Sequence, residues 1–196
     1  MLAAAGEIFA EVGFDAATTE AIAERAEVSI GSLYQYFPNK EALFEALADG
    51  YHERESAVIE KQMVAAVMTG ATWEETIDRM IDGFAYLQKT DPAFRAVWLN
   101  WMHSPRVVAT GLARTTEFAE RAEALALHYA PDLPLRERRI LTRMVVEVMS
   151  SMIFAAVRLG PEVGGALLEE TKVLLRRYLE PIAGPSARAR KGKGSP

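Results

Sequence analysis

Apolar residues recur along most of this chain at the three- and four-residue spacing of one helix face. Period-two alternation bounded by turn residues is absent, so the pattern predicts an all-α protein. Leu2, Ala5, Ile8, Phe9 and Val12 form the first stripe, and Gly13 stops it as a glycine just past a helix end does. Thr18 and Thr19 offer hydroxyl caps to a short helix, Glu20 to Ala26, with Ile22 and Ala23 facing inward. Ser29 caps a second short helix to about Phe37, which Pro38 ends because the residue before a proline avoids the α region. Asn39 caps a long amphipathic helix that runs from Lys40 through Leu43, Phe44, Leu47 and Tyr51 to about Met68, closed by Gly70.

Helix and stop alternate from there on. Thr72 opens 73–89, Asp91-Pro92 opens 92–102 and Ser104-Pro105 opens 105–129, each with a capping side chain and two with proline in the first turn. Pro131 and Pro134 precede an apolar helix over 135–159, and Gly160-Pro161 precedes the last, 162–181. About nine helices are predicted. Residues 184–196 place Arg188, Arg190, Lys191 and Lys193 among Gly, Ser, Ala and Pro without apolar periodicity, which predicts a disordered basic tail.

Composition narrows the chemistry. Of 196 residues, 50% are apolar and 25% charged, the balance of a folded protein with a sizeable core. There is no cysteine, so disulfides and thiolate ligands are excluded. The three histidines (His52, His103, His128) lie far apart, and no Glu-x-x-His spacing sets metal ligands on one helix face. No serine sits in a Gly-x-Ser-x-Gly turn, and neither a nucleophile with its base nor a ligated metal is evident, so no enzyme activity and no cofactor is expected. The stretch Ile140 to Val157 is interrupted by Arg143 and Glu147, the mark of a packed helix rather than a membrane span. The N-terminus lacks the order of a signal peptide, and a cytoplasmic protein without a membrane partner is expected.

Two short helices, joined through Glu27-Val28-Ser29, have the lengths and spacing of a helix-turn-helix. The second crowds Ser29, Ser32, Tyr34, Gln35 and Tyr36 onto a segment held by Leu33 and Phe37. A helix that short is positioned by packing, and its polar groups are there to meet something. Gly31 inside it costs about 1 kcal/mol against Ala, a loss offset if the backbone must lie close to a phosphate or base edge. The net charge of −5 runs against nucleic-acid binding, and residues 1–47 hold eight acids against two bases, Arg25 and Lys40. Binding would then rest on placement rather than bulk charge, with Lys40 supplying a mobile cation beyond the aromatic pair.

Two segments carry a family likeness: Gly13-Phe14-Asp15-Ala16-Ala17-Thr18-Thr19-Glu20-Ala21-Ile22-Ala23, and Val28-Ser29-Ile30-Gly31-Ser32-Leu33-Tyr34-Gln35-Tyr36-Phe37-Pro38-Asn39-Lys40-Glu41-Ala42-Leu43-Phe44. They resemble the DNA-binding domain of TetR/AcrR-type regulators over about residues 1–48. The resemblance implies a helix-turn-helix head (1–48) on a helical ligand-binding and dimerising body (49–183), ahead of the tail (184–196). It implies that Thr19, Ser29, Tyr36 and Lys40 hold phosphates while Ile30, Gly31, Ser32, Tyr34 and Gln35 face the major groove of double-stranded operator DNA. Glu27 stands where the family most often has a small glycine. Family members carry a basic arm ahead of the first helix, where this chain starts inside it, so an upstream arm is expected.

In the body, Phe84, Trp98, Trp101, Met102, His103, Phe118, Met149 and Met152 belong to an aromatic and methionine-rich set suited to a flat or apolar small-molecule effector, with Arg106 or Asn100 as a polar handle. Ile140, Met144, Val148, Ile153, Leu167, Leu174 and Tyr178 add more apolar surface on the last two helices than one body covers, which predicts a four-helix homodimer interface. The function expected is a repressor that binds a palindromic operator as a homodimer and is released when an effector tilts the helix over 40–68. The alternative is a DNA-binding architectural or cell-division factor without an effector.

Overall fold

The computed structural model describes residues 1–183; the predicted basic tail lies outside the described residues. Within them the chain forms nine α-helices, one 3-10 turn and no strand. They are α1 (Leu2–Ala16), α2 (Thr19–Arg25), α3 (Ile30–Tyr36), α4 (Lys40–Thr69), α5 (Trp73–Thr90), α6 (Pro92–Asn100), the turn Trp101–His103, α7 (Pro105–Tyr129), α8 (Leu135–Leu159) and α9 (Pro161–Ala183).

The capping side chains that predicted the starts make the predicted bonds. Thr18 accepts from the Ala21 amide at 3.1 Å, Ser29 from Ser32 at 3.0 Å, Asn39 from Ala42 at 2.8 Å, Asp91 from Phe94 at 3.0 Å and Ser104 from Val107 at 3.3 Å. Thr72 and Glu75 cap each other's amides reciprocally, at 3.2 and 3.3 Å. At Gly13 the backbone turns to φ 79°, and one further turn of helix follows, so the break falls inside α1 instead of ending it.

The helices group into two compact units. The first holds Met1–Ala57 and Phe84–Leu112. Its core gathers Phe9, Ile22, Leu33, Leu43 and Phe44, all essentially inaccessible to solvent. Phe9, Phe14 and Phe44 meet at 5.0–5.7 Å, two of the three pairs edge to face. Each such ring contributes roughly 1.5–3 kcal/mol by leaving water, which fixes α1 and α4 around the short helices. Val12, placed by periodicity on the buried stripe, is instead 52% exposed, in the last regular turn before the break at Gly13.

The second unit holds Val58–Gly83 and, among the described residues, the chain from Ala113 to Ala183. Trp73, Ile77 and Ile81 of α5 pack with Leu141 of α8 and with Leu175 and Leu179 of α9. The helices α8 and α9 lie so close that a Cβ on Gly164 would stand 2.2 Å from the Ala156 carbonyl oxygen. By length and composition α8 could cross a membrane. Here it packs along α9, buries Leu141 and Ile153, pairs Arg143 with Glu147 at 2.7 Å and bonds Arg143 to Thr116 at 2.7 Å, as a core helix of a bundle does. Lys172, 7% exposed, donates to Asp82 at 2.5 Å and Glu169 at 2.7 Å.

Candidate nucleic-acid interface

The turn between α2 and α3 is built on backbone bonds, Glu27 N–H to the Glu24 carbonyl and Val28 N–H to the Ala23 carbonyl, both at 3.0 Å. Glu27 occupies the left-handed region at φ 54°, a conformation that glycine takes without strain. Ser29 then caps α3, and Leu33 anchors it as its one fully buried residue. Gly31, Tyr34, Gln35 and Tyr36 are exposed, Tyr36 by 70%. Ile30 is 38% exposed, and Ser32 is half-buried. Thr19, nearly buried, shares a 3.0 Å hydrogen bond with the Tyr34 hydroxyl, so α2 and α3 are tied across the motif. The hydroxyls of Ser29 and Ser32 are likewise joined at 2.8 Å.

Both bases of the head are engaged inside it. Arg25 forks onto the two Glu11 oxygens at 2.8 and 2.9 Å and reaches Glu7 at 3.0 Å. The same hydrogen bonds hold the Glu11 carboxyl below the usual carboxylate range and push the guanidinium further up. Lys40 corrects the expectation of a mobile cation. Its ammonium donates to the carbonyls of Phe14, Asp15 and Ala17 at 2.7, 3.1 and 3.0 Å and sits 4.6 Å from the centre of the Phe14 ring. The reason is local: α1 ends there with unpaired carbonyls, and three rotatable N–H donors satisfy three of them.

The predicted effector residues divide between the two units. Phe84 is buried and meets Trp98 edge to face at 4.8 Å, with Phe94 completing the group. Gly111 borders the Trp101 ring, which is half-buried. Met102 is 74% exposed. His103 leans on Phe14, ring centres 5.0 Å apart, with Nε2 at 3.4 Å from Asp15. Arg106 grips Glu45 at 3.0 Å and Asp49 at 2.6 Å on α4, joined by the Ser104 hydroxyl on Glu45 at 2.7 Å. That hydroxyl, then the guanidinium, holds the Glu45 carboxyl below its usual range. His103 and Arg106 therefore fasten the start of α7 to α1 and α4, a role their spacing did not disclose. Phe118, Met149 and Met152 belong to the second unit, each half-buried.

Gln88 was missed. Both atoms of its amide are buried and lack a hydrogen-bond partner among the described residues, and the same holds for Nε2 of His52. Four residues after Phe84 on α5, Gln88 shares the helix face of the aromatic group, the one signal that could have marked it.

Of the predicted interface residues, Ile140, Leu174 and Tyr178 are 60%, 54% and 41% exposed. Met144, Val148 and Leu167 are half-buried, and Val148 is partly spent on the core. Ile153 is only 6% exposed and belongs to the core of its own chain, since α8 turns that position toward its neighbours.

Two family descriptions match: "Bacterial regulatory proteins, tetR family" over residues 1–47, and "Tetracyclin repressor-like, C-terminal domain" over residues 72–179. The HTH-type transcriptional repressor AcnR of Corynebacterium glutamicum is 33% identical over 103 residues, 51% of this chain. That alignment spans about half of the relative, 55% of its length. A TetR-family transcriptional regulator from Streptomyces coelicolor shares the fold at a TM-score of 0.63 with 29% identity, covering 92% of this chain and 96% of that one. SmeT, the repressor of the Stenotrophomonas maltophilia multidrug efflux pump SmeDEF, superposes at a TM-score of 0.64 with 21% identity over 91% of this chain and 86% of its own. With a capped two-helix motif at one end and the second family description matched over more than half of its length, this chain belongs to the TetR family of bacterial regulatory proteins.

Proposed function

We propose that this chain is a cytoplasmic, ligand-responsive repressor that binds a palindromic operator as a homodimer through residues 1–48. The observation that carries the reading is α3 itself: one buried anchor, Leu33, under an exposed surface that includes Ile30, Gly31, Gln35 and Tyr36. Ser29 and Tyr36 contact phosphates, and Ile30, Gly31, Ser32 and Gln35 lie along the groove. Thr19 and Tyr34 act as one bonded unit at its wall, and Lys40 serves by stiffening the head.

The exposed Ile140, Val163, Leu174 and Tyr178 support pairing of two chains through α8 and α9, which presents two heads to a two-fold site. For the effector, residues of 49–183 supply the seat. The aromatic group of Phe84, Phe94 and Trp98 supports a flat, apolar molecule, and the orphaned amide of Gln88 supports a polar point on it. The grip of Ser104 and Arg106 on Glu45 and Asp49 is the route by which a shift in α7 tilts α4.

Light scattering together with anisotropy titration of duplexes from the upstream region of its own gene tests the reading. A dimer that binds one duplex with nanomolar affinity, and a flat apolar compound that releases it, are expected. A monomer, or indifference to every duplex at low ionic strength, overturns it. Tight binding that no compound in a chemically diverse panel releases points to the effector-free architectural role.

A further inference from the structure

Bare backbone and a single amide make up the outermost line of α3. At about 100° per residue, Gly31 and Gln35 point about 160° and 200° away from the buried Leu33, so this pair forms the ridge farthest from the core. Gly31 contributes no side chain, and its surroundings are open: a Cβ there would meet only the Ser29 hydroxyl, at 3.8 Å. The helix can therefore approach a groove floor along that line until Gln35 touches it.

What flanks the ridge is largely spoken for. The Tyr34 hydroxyl is bonded to Thr19, and Ser32 to Ser29. Guanine shows the major groove two acceptors, O6 and N7, which a guanidinium fork answers best. Among the described residues of the head, the arginine, Arg25, is folded back onto Glu7 and Glu11, and the lysine, Lys40, onto three carbonyls. Adenine shows one acceptor, N7, and one donor, N6–H, the complement of a carboxamide. Ile30, exposed by 38% near the start of the same helix, suits a thymine methyl.

We propose that Gln35 reads an adenine in each operator half-site, Nε2 donating to N7 and Oε1 accepting from N6–H, so that the base pair beneath the ridge is A·T. The proposal rests on the duplex-binding reading above. It is tested by selecting bound duplexes from a random pool with the full chain, its Gln35→Ala variant and its Gln35→Arg variant. One adenine per half-site is expected in the selected sequences, and the alanine variant loses that preference alone. Replacing that adenine by 7-deazaadenine, which lacks the N7 acceptor but keeps N6–H, weakens binding in the parent by part of the roughly 5- to 150-fold that the whole bidentate contact is worth. The same replacement leaves the alanine variant nearly unaffected, and the arginine variant moves the preference to guanine. A guanine at the position that Gln35→Ala relaxes, or a consensus unchanged by that variant, overturns the proposal while duplex binding stands. Enrichment of no sequence at low ionic strength defeats duplex binding itself, and this assignment with it.

Discussion

Replacing Gly31 with alanine separates what the fold needs from what docking needs. Inside the protein the added methyl is free of strain: Gly31 is exposed, its φ is not positive, and the nearest atom is the Ser29 hydroxyl at 3.8 Å. Alanine is favoured over glycine by up to about 1 kcal/mol within a helix and by about half that near the cap, so the variant should be more stable. For a chain of this length that corresponds to a rise in Tm of about 1–4 °C, read by circular dichroism at equal protomer concentration. If α3 docks through the proposed ridge, the same methyl is expected to lift Gln35 from its base, a loss of up to one bidentate contact, about 5- to 150-fold in affinity. Anisotropy with a labelled operator measures it. A variant that is stabilised and binds as tightly as the parent refutes the close-approach argument. A variant that melts earlier refutes the account of the free space around Gly31.

Further outcomes follow from the geometry. Glu27→Gly relieves a left-handed glutamate and should raise stability by up to about 1 kcal/mol, checked by urea midpoint. Gln88→Leu removes two buried orphan atoms, so it should stabilise the free protein by about 1–3 kcal/mol while abolishing effector-induced release; a destabilised variant would mean the amide is satisfied. Gly164→Ala drives a methyl into the Ala156 carbonyl, and a loss of about 1–3 kcal/mol with weakened pairing of chains is expected from melting and light scattering. Because the folded carboxyl of Glu45 lies below its unfolded value, its stabilisation is present above that unfolded value and disappears as pH falls through the folded one. The urea-midpoint gap between parent and Glu45→Gln should therefore shrink from pH 7 toward about pH 3, and a constant gap would contradict the sign.

Much of the fold was written in short-range chemistry. Thr18, Ser29, Asn39, Thr72, Asp91 and Ser104 each start a helix by a bond to an amide three residues on, a relation fully contained in the sequence. The candidate reading helix was legible for the same reason, since its brevity and its polar crowding are local. The long-range partners of polar side chains were not. Lys40 caps a helix 23 to 26 residues earlier, and Arg106 finds α4 some 60 residues back. Periodicity reports that a face is apolar and is silent on what covers it, so Ile153 looked available for pairing although its own chain buries it.

The tether of Lys40 to the carbonyls of Phe14, Asp15 and Ala17 bears on how motion is transmitted. One cation joins the first turn of α4 to the end of α1 by three bonds. If α4 tilts as proposed, those bonds couple its movement to the segment that leads into α2 and α3, and Lys40→Met should weaken that coupling.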